Sequence, residues 1–338
     1  LTLYRTSGDS AIINSLITAA ENGKQVTAVV ELKARFDEEN NIIWARALEN
    51  AGVHVVYGLI GLKTHCKIAL VVRKEDEKMK RYVHLSTGNY NQTTSKLYTD
   101  FGLFTANEDF GKDATQLFNY LTGYSKKHSF KELVVAPINM RKTILGLIDN
   151  EIQKHKEHSN GYILAKMNSL VDEEVILKLY EASNAGVKIE LMIRGICRLK
   201  PGVKGMSENI SVYSLVGRFL EHSRAFYFNN NGESNLYLSS ADWMPRNLDR
   251  RIEIMFPIED ERVKEDILEA LKLYLTDNVK CRILKSDGTY EKLSSGNNKI
   301  DIQETFVRRV IKKHATDSKK DIKKKIKKLA VKHLSIVK

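Results

Sequence analysis

The sequence predicts an α/β protein made of two tandem halves related by pseudo-two-fold symmetry, each a mixed sheet flanked by helices. Three observations predict it. The chain has 338 residues with 42% apolar content, enough to bury a sizeable core and to form about two domains. Short apolar, strand-like runs alternate with helix-like segments that open near hydroxyl or acidic residues and close on glycine. The second half also repeats the first in order and spacing.

The opening LTLY reads as a strand, and Tyr4–Ile13 (YRTSGDSAII) as its end running into a capped helix. Met167–Ile176 (MNSLVDEEVI) is its counterpart. Next, the segment from Ala20 to Arg35 aligns with Ala182 to Arg198, with Gly23 over Gly186 and Arg35 over Arg198. Each reads as a helix end, a glycine cap and a buried strand. Val56–Gly61 (VYGLIG) then matches Val212–Gly217 (VYSLVG). After one inserted residue, His65-Cys66-Lys67 falls on His222-Ser223-Arg224. Finally His84–Asn91 (HLSTGNYN) matches Tyr237–Met244 (YLSSADWM), a strand delivering two small hydroxyl residues. The halves divide just before the strand LVVAP, giving domains over 1–130 and 131–300 and a basic tail over 301–338.

Composition narrows the function classes. No apolar run reaches the roughly 18 residues of a membrane span, so a soluble protein is expected. Three scattered cysteines with no CxxC spacing point to neither a zinc site nor a disulfide framework, and an intracellular, reducing compartment is expected. A chain that opens on Leu1 in mid-strand reads as a piece of something longer. The net charge of +12 is concentrated in the tail, where residues 301–338 carry 13 Lys/Arg against 4 Asp/Glu. With Ile322, Ile326, Leu329 and Leu334 spaced among the lysines, the tail reads either as a solvated charged terminus or as a cationic amphipathic helix for a polyanion or anionic surface.

An HxK or HxR pair along a strand points both side chains to one face. A lone pair of this kind is ordinarily a core histidine with a snorkelling lysine; repetition at equivalent places in both halves favours a shared cleft between them. There a neutral imidazole can act as nucleophile or base while the adjacent cation holds a phosphate. Arg5, Arg35, Arg194 and Arg198 fall at matching strand ends, where α/β sheets bind ligands. Together they form a candidate set for several phosphates, although each alone reads as a surface ion pair. Neither a Walker-type GxxxxGK[ST] loop nor a GxGxxG fingerprint is present.

The runs LYRTSGDS, VVELKARFDEEN, GVHVVYGLIGLKTHCK and HLSTGNYNQTTSKLYTD resemble bacterial polyphosphate kinase of the first type. So do LMIRGICRL, FLEHSR and YLSSADWMPRNLDRRIE in the second half, and the resemblance runs nearly unbroken from residue 1 to about 300. It implies the catalytic C-terminal half of a longer enzyme, with two phospholipase D-like domains. The implied reaction is reversible transfer of the terminal phosphate of ATP to inorganic polyphosphate through a phosphohistidine. By motif, His65 is the implied nucleophile, Tyr98, Arg194 and His222 are ATP contacts, and His222 is also expected to act in catalysis by protonating or stabilising the leaving oxygen. Arg5 and Arg35 match positions associated with Mg²⁺; a guanidinium has no lone pair for a cation, so they are expected to hold the phosphate oxygens that the metal bridges. Lys67 and Arg224 are expected to clamp the transferring group. The phospholipase D signature HxKxxxxD is incomplete in both copies, with Val72 and Asn229 at the aspartate positions.

This reading carries ATP or ADP and polyphosphate as partners, no specific nucleic acid, a homo-oligomer, and a cytoplasmic location with a peripheral membrane or polyanion contact through the tail. The isolated piece is expected to lack full activity. Two rivals stand beside it: a phospholipase D-like phosphodiesterase using the same histidines, and a non-catalytic polyanion-binding module.

Overall fold

The computed structural model describes residues 1–6, 10–34, 38–124, 129–293 and 298–312. In the first half the elements are β1 (Thr2–Leu3), α1 (Ala11–Glu21), β2 (Thr27–Val30), α2 (Glu38–Asn50) and β3 (His54–Val56). They continue as β4 (Lys63–Thr64), β5 (Lys67–Glu75), β6 (Lys78–Ser86), β7 (Tyr98–Thr99), β8 (Gly102–Thr105) and α3 (Glu108–Leu121). The second half runs β9 (Val134–Ala136), α4 (Met140–His158), β10 (Tyr162–Met167), α5 (Glu173–Asn184), β11 (Lys188–Ile193) and β12 (Ile210–Leu215). It closes with β13 (Leu220–Glu221), β14 (Arg224–Phe228), β15 (Asn235–Ser239), α6 (Pro245–Arg250), β16 (Arg251–Pro257), α7 (Glu261–Tyr274), β17 (Cys281–Leu284) and β18 (Tyr290–Lys292). A last helix passes through residues 302–312.

Local chemistry places these elements where the sequence suggests. The Ser10 hydroxyl accepts from the Ile13 N–H and the Asp172 carboxylate from the Val175 N–H, capping the equivalent helices α1 and α5. After α5 the chain turns at Gly186 with φ +100°, where a Cβ would lie 2.6 Å from the His155 ring. Parallel pairing then joins β1–β2–β3 in one half and β10–β11–β12 in the other, as expected for strand–helix–strand units. The result is a mixed α/β architecture of sheets flanked by helices. Among the described residues no helix is long and apolar enough to cross a membrane.

The halves differ in how their sheets close. In the second, β10 pairs antiparallel with β14, so one sheet runs on through β15 and β16. In the first, β1–β3 and β5–β6–β8 are separate sheets. Thr2 spans the gap: its hydroxyl donates to the Cys66 carbonyl at 2.8 Å and accepts from the Ile68 N–H at 3.1 Å. A side chain thus stands in for the backbone ladder.

Between the halves there is an exchange. The short strand β4 pairs with β16 of the second half, and β13 pairs with β7 of the first, both in parallel. One apolar cluster accordingly combines Val29, Cys66 and Ile68 with Leu164, Ala225 and Ile252.

Candidate active site

Both histidines sit at the exchange, each built in the same way. The N–H groups of His65 and Cys66 both donate to the Ile252 carbonyl, at 2.9 Å each. The N–H groups of His222 and Ser223 both donate to the Thr99 carbonyl, at 3.2 and 2.9 Å. Two successive amides on one carbonyl break the ladder, so β5 begins only at Lys67 and β14 only at Arg224. The expectation that His65 lies within a strand is corrected: it stands in the break just before one. Lys67 is nonetheless brought against it, with Nζ 3.0 Å from Nδ1 and 3.1 Å from Nε2.

The exchange also brings a carboxylate to each histidine. His65 Nδ1 lies 2.8 Å from the carboxylate of Glu253, one residue past the Ile252 carbonyl. His222 Nδ1 lies 2.9 Å from that of Asp100, one residue past Thr99. Each imidazole therefore takes its carboxylate from the opposite half. At the signature aspartate positions, Val72 is exposed on β5, and Asn229 follows β14 and donates to the Asn160 carbonyl.

Each carboxylate is held in turn by a hydroxyl from the segment that the repeat singled out. Ser240 donates to Glu253 at 2.5 Å and Thr87 to Asp100 at 2.6 Å. Asn247 on α6 gives Glu253 a further bond at 2.6 Å. Sequence reasoning singled out the hydroxyl residues but missed Glu253 and Asp100, although KLYTD and DRRIE each end on the acid concerned.

Two environments result from this one plan. Glu253 is fully buried, and burial holds its carboxyl above the usual range although Lys67, Arg251, Ser240 and Asn247 pull it down. Burial acts on Asp100 too, but the His222 and Thr87 bonds and the Arg224 charge outweigh it and leave it below the usual range. His65 is pushed well below the ordinary histidine value by burial, then by Lys67, Arg251 and Arg224. His222 falls to about 4 through burial, Arg224 and Lys67, partly offset by Asp100. Lys67 and Arg224 each depress both imidazoles, so the two half-sites share one electrostatic field.

The cations differ as well. Burial lowers Lys67 to about 7 despite Glu253, with Arg224 adding to the effect. Arg224 is instead clamped by Asp242, with Nε and Nη2 at 3.1 and 3.3 Å from the two carboxylate oxygens, which raise it against burial. Cys66, beside His65, is pushed up to about 12 by burial and stays a thiol.

The remaining expected residues fall at varying distance. Tyr98 lies with its ring 5.1 Å from that of His222. Arg194 donates from Nε to the Glu221 carbonyl at 3.1 Å, one residue before His222. The Arg5 guanidinium lies 5.8 Å from the Tyr4 ring, which packs edge-on against His65 at 4.5 Å. Arg198 is exposed and not gathered in. Arg35 and the tail beyond Lys312 lie outside the described residues. Beside Asp100 and Tyr98 a cavity of about 280 Å³ opens, lined also by Ser86, Asn89 and Thr94.

Comparison with known proteins gives this arrangement a family context. A family model described as polyphosphate kinase C-terminal domain 1 matches residues 1–127, and one described as polyphosphate kinase C-terminal domain 2 matches residues 133–304. The chain is 58% identical over 307 residues to the polyphosphate kinase of Halalkalibacterium halodurans, covering 90% of this chain and 44% of that protein. To the polyphosphate kinase of Bacillus anthracis it is 59% identical over 303 residues, covering 89% and 43%. It therefore spans less than half the length of these relatives. Among solved structures, polyphosphate kinase from Porphyromonas gingivalis superposes with a TM-score of 0.86 at 40% identity, over 94% of this chain and 48% of that one. Phosphatidylserine synthase from Haemophilus influenzae shares the fold, with a TM-score of 0.59 at 10% identity over 93% of this chain and 87% of the other.

Proposed function

This chain belongs to the polyphosphate kinase family, and from that membership we propose that it carries the site for reversible transfer of the terminal phosphoryl group of ATP to inorganic polyphosphate, through a phosphohistidine on His65. The observation that carries the reading is the pair of histidine–carboxylate contacts completed across the two halves and flanked by Lys67 and Arg224.

With His65 Nδ1–H donated to Glu253, the lone pair lies on Nε2, which becomes the nucleophilic nitrogen once Lys67, 3.1 Å away, turns its ammonium to the phosphate oxygens. Its lone pair attacks the terminal phosphorus in line; the P–N bond forms as the P–O bond to the ADP oxygen breaks, and that oxygen keeps the electron pair. The positive charge gained by the phosphoimidazole faces the Glu253 carboxylate, while Lys67, Arg224 and Arg5 neutralise the phosphoryl oxygens. His222, held by Asp100 opposite, serves the leaving oxygen, and Tyr98 and Arg194 beside it contact the nucleotide. In the second step a terminal oxygen of polyphosphate attacks phosphorus and the P–N bond breaks, restoring neutral imidazole. Arg35 joins the phosphate contacts by its motif alone.

Mg²⁺ fits this site as a companion of the substrate phosphates. Among the described residues no group of three or more His, Cys, Asp or Glu side chains is placed to hold a metal, and the ion ordinarily travels with nucleotide phosphates, whose charge it neutralises.

The test is label transfer from γ-labelled ATP to the protein. Acid-labile, base-stable label is expected on the wild type and none on His65→Ala. Label retained in that variant removes His65 as the nucleophile, and cleavage of a phosphodiester substrate without labelling would favour hydrolytic chemistry instead.

A further inference from the structure

Beneath His222 lies a buried ion pair that the proposed reaction does not use. Lys166 on β10 and Glu221 on β13 are 1% and 2% exposed, with Nζ 3.1 Å from the carboxylate. Burying such a pair costs several kcal/mol of desolvation per ion, so its presence is weak evidence for a stabilising role. The repeat provides an internal control. Val29 and Met192 both stand six residues past the equivalent glycines, and their strand partners are Thr2 and Lys166. Likewise Thr64 pairs with Ile252 at one exchange and Glu221 with Thr99 at the other. The first half thus builds the same crossing with Thr2 and Thr64, where the second has Lys166 and Glu221.

The Glu221 carboxylate touches elements that converge on His222. It accepts from the Thr99 hydroxyl at 2.8 Å and from Gln303, in the last helix, at 2.6 Å. Thr99 is the residue whose carbonyl receives the His222 and Ser223 amides, and its neighbour Asp100 holds the His222 ring. Lys166 in turn donates to the Ser223 hydroxyl at 2.7 Å. The Glu221 carbonyl takes the Arg194 guanidinium. The pair therefore braces both sides of the exchange that presents His222.

We infer that Glu221, held by Lys166, is a positioning residue that fixes the His222–Asp100 pair through Thr99, a role with no counterpart in the His65 half-site. The kinetic part of this inference rests on the function proposed above; the structural part does not. The experiment uses this chain labelled with ¹⁵N-histidine, as wild type, Glu221→Gln and the double variant Lys166→Met/Glu221→Leu, which leaves both positions uncharged like Thr2 and Thr64 and keeps the test valid if the single variant folds poorly. Expected in either folded variant is a shift of the His222 ring nitrogens with those of His65 unmoved. For the labelled-phosphate reaction, kcat is expected to fall about 10–100-fold with KM for ATP within about twofold. A folded variant with wild-type His222 resonances and kcat, altered only in stability, overturns the inference and reduces the pair to a strut. Shifted His222 resonances in a protein whose wild type takes no label would sustain the positioning role and sink the proposed reaction instead.

Discussion

The half-sites around His65 and His222 share one backbone plan and differ in what their charges are allowed to do. At His65 the carboxylate is sealed in and held above its usual range, and the neighbouring cation is an amine depressed to about 7. At His222 the carboxylate stays below its usual range and the cation is a guanidinium locked by Asp242. The first site can change charge as a bond forms, while the second has a fixed charge pattern. Environments that push paired titratable groups apart are how one fold assigns two roles, and here the difference suits a nucleophile on one side and a stabiliser on the other.

The largest expected effect breaks this comparison if it fails. Glu253→Gln removes the negative charge and one of the two acceptor oxygens that hold the His65 tautomer, and should slow phosphohistidine formation by about 10²–10⁴-fold. Asp100→Asn, which loosens the His222 that serves the leaving oxygen, should slow it less, by about 10–100-fold. Rapid-quench labelling of both variants measures this; equal losses would make the two sites equivalent.

A smaller effect concerns the two cations. Lys67 is charged below about pH 7, so kcat/KM for ATP should fall on the alkaline side of that value, about tenfold per unit of pH. In Lys67→Arg this fall should vanish, and a profile still bending near 7 would assign the titration to another group. Arg224→Lys should weaken ATP binding without moving the bend.

The smallest is on stability. The folded-state pKa of His222, about 4, lies below its ordinary 6.5, so the unfolded chain binds more protons between these values. Stability is therefore full above about pH 6.5 and is lost as pH falls towards 4, by on the order of 1–3 kcal/mol. Denaturant melts at pH 7 and pH 5 should show the loss, reduced but not abolished in His222→Gln, because His65 is shifted the same way. An unchanged pH dependence in that variant would place the proton uptake elsewhere.

The repeat makes much of this legible in the sequence. Helix caps, glycine turns, the parallel units and the two HxK-type pairs follow from local pattern, because their partners lie within a few residues or recur at fixed spacing. Glu253 and Asp100 did not, since they reach their histidines across 188 and 122 residues of sequence. That contact depends on the exchange of two-residue strands, β4 and β13, too short to leave any periodicity. The absence of Asp at Val72 and Asn229 read as loss of a carboxylate, whereas each imidazole has one at Nδ1 from the opposite half. The split first sheet was hidden for a similar reason: a single threonine hydroxyl, not an apolar pattern, bridges it.

The exchange of β4 and β13 has a consequence for what the covalent link between the halves accomplishes. A lone copy of either half carries two unfinished sites, and a two-fold pair of one repeat would complete both through the same self-complementary contact. Joining the copies in one polypeptide replaces that encounter by an intramolecular one at high effective concentration. It also releases the copies from identity. Lysine can then differ from arginine, and glutamate from aspartate, at positions that a symmetric pair of a single sequence would be forced to share.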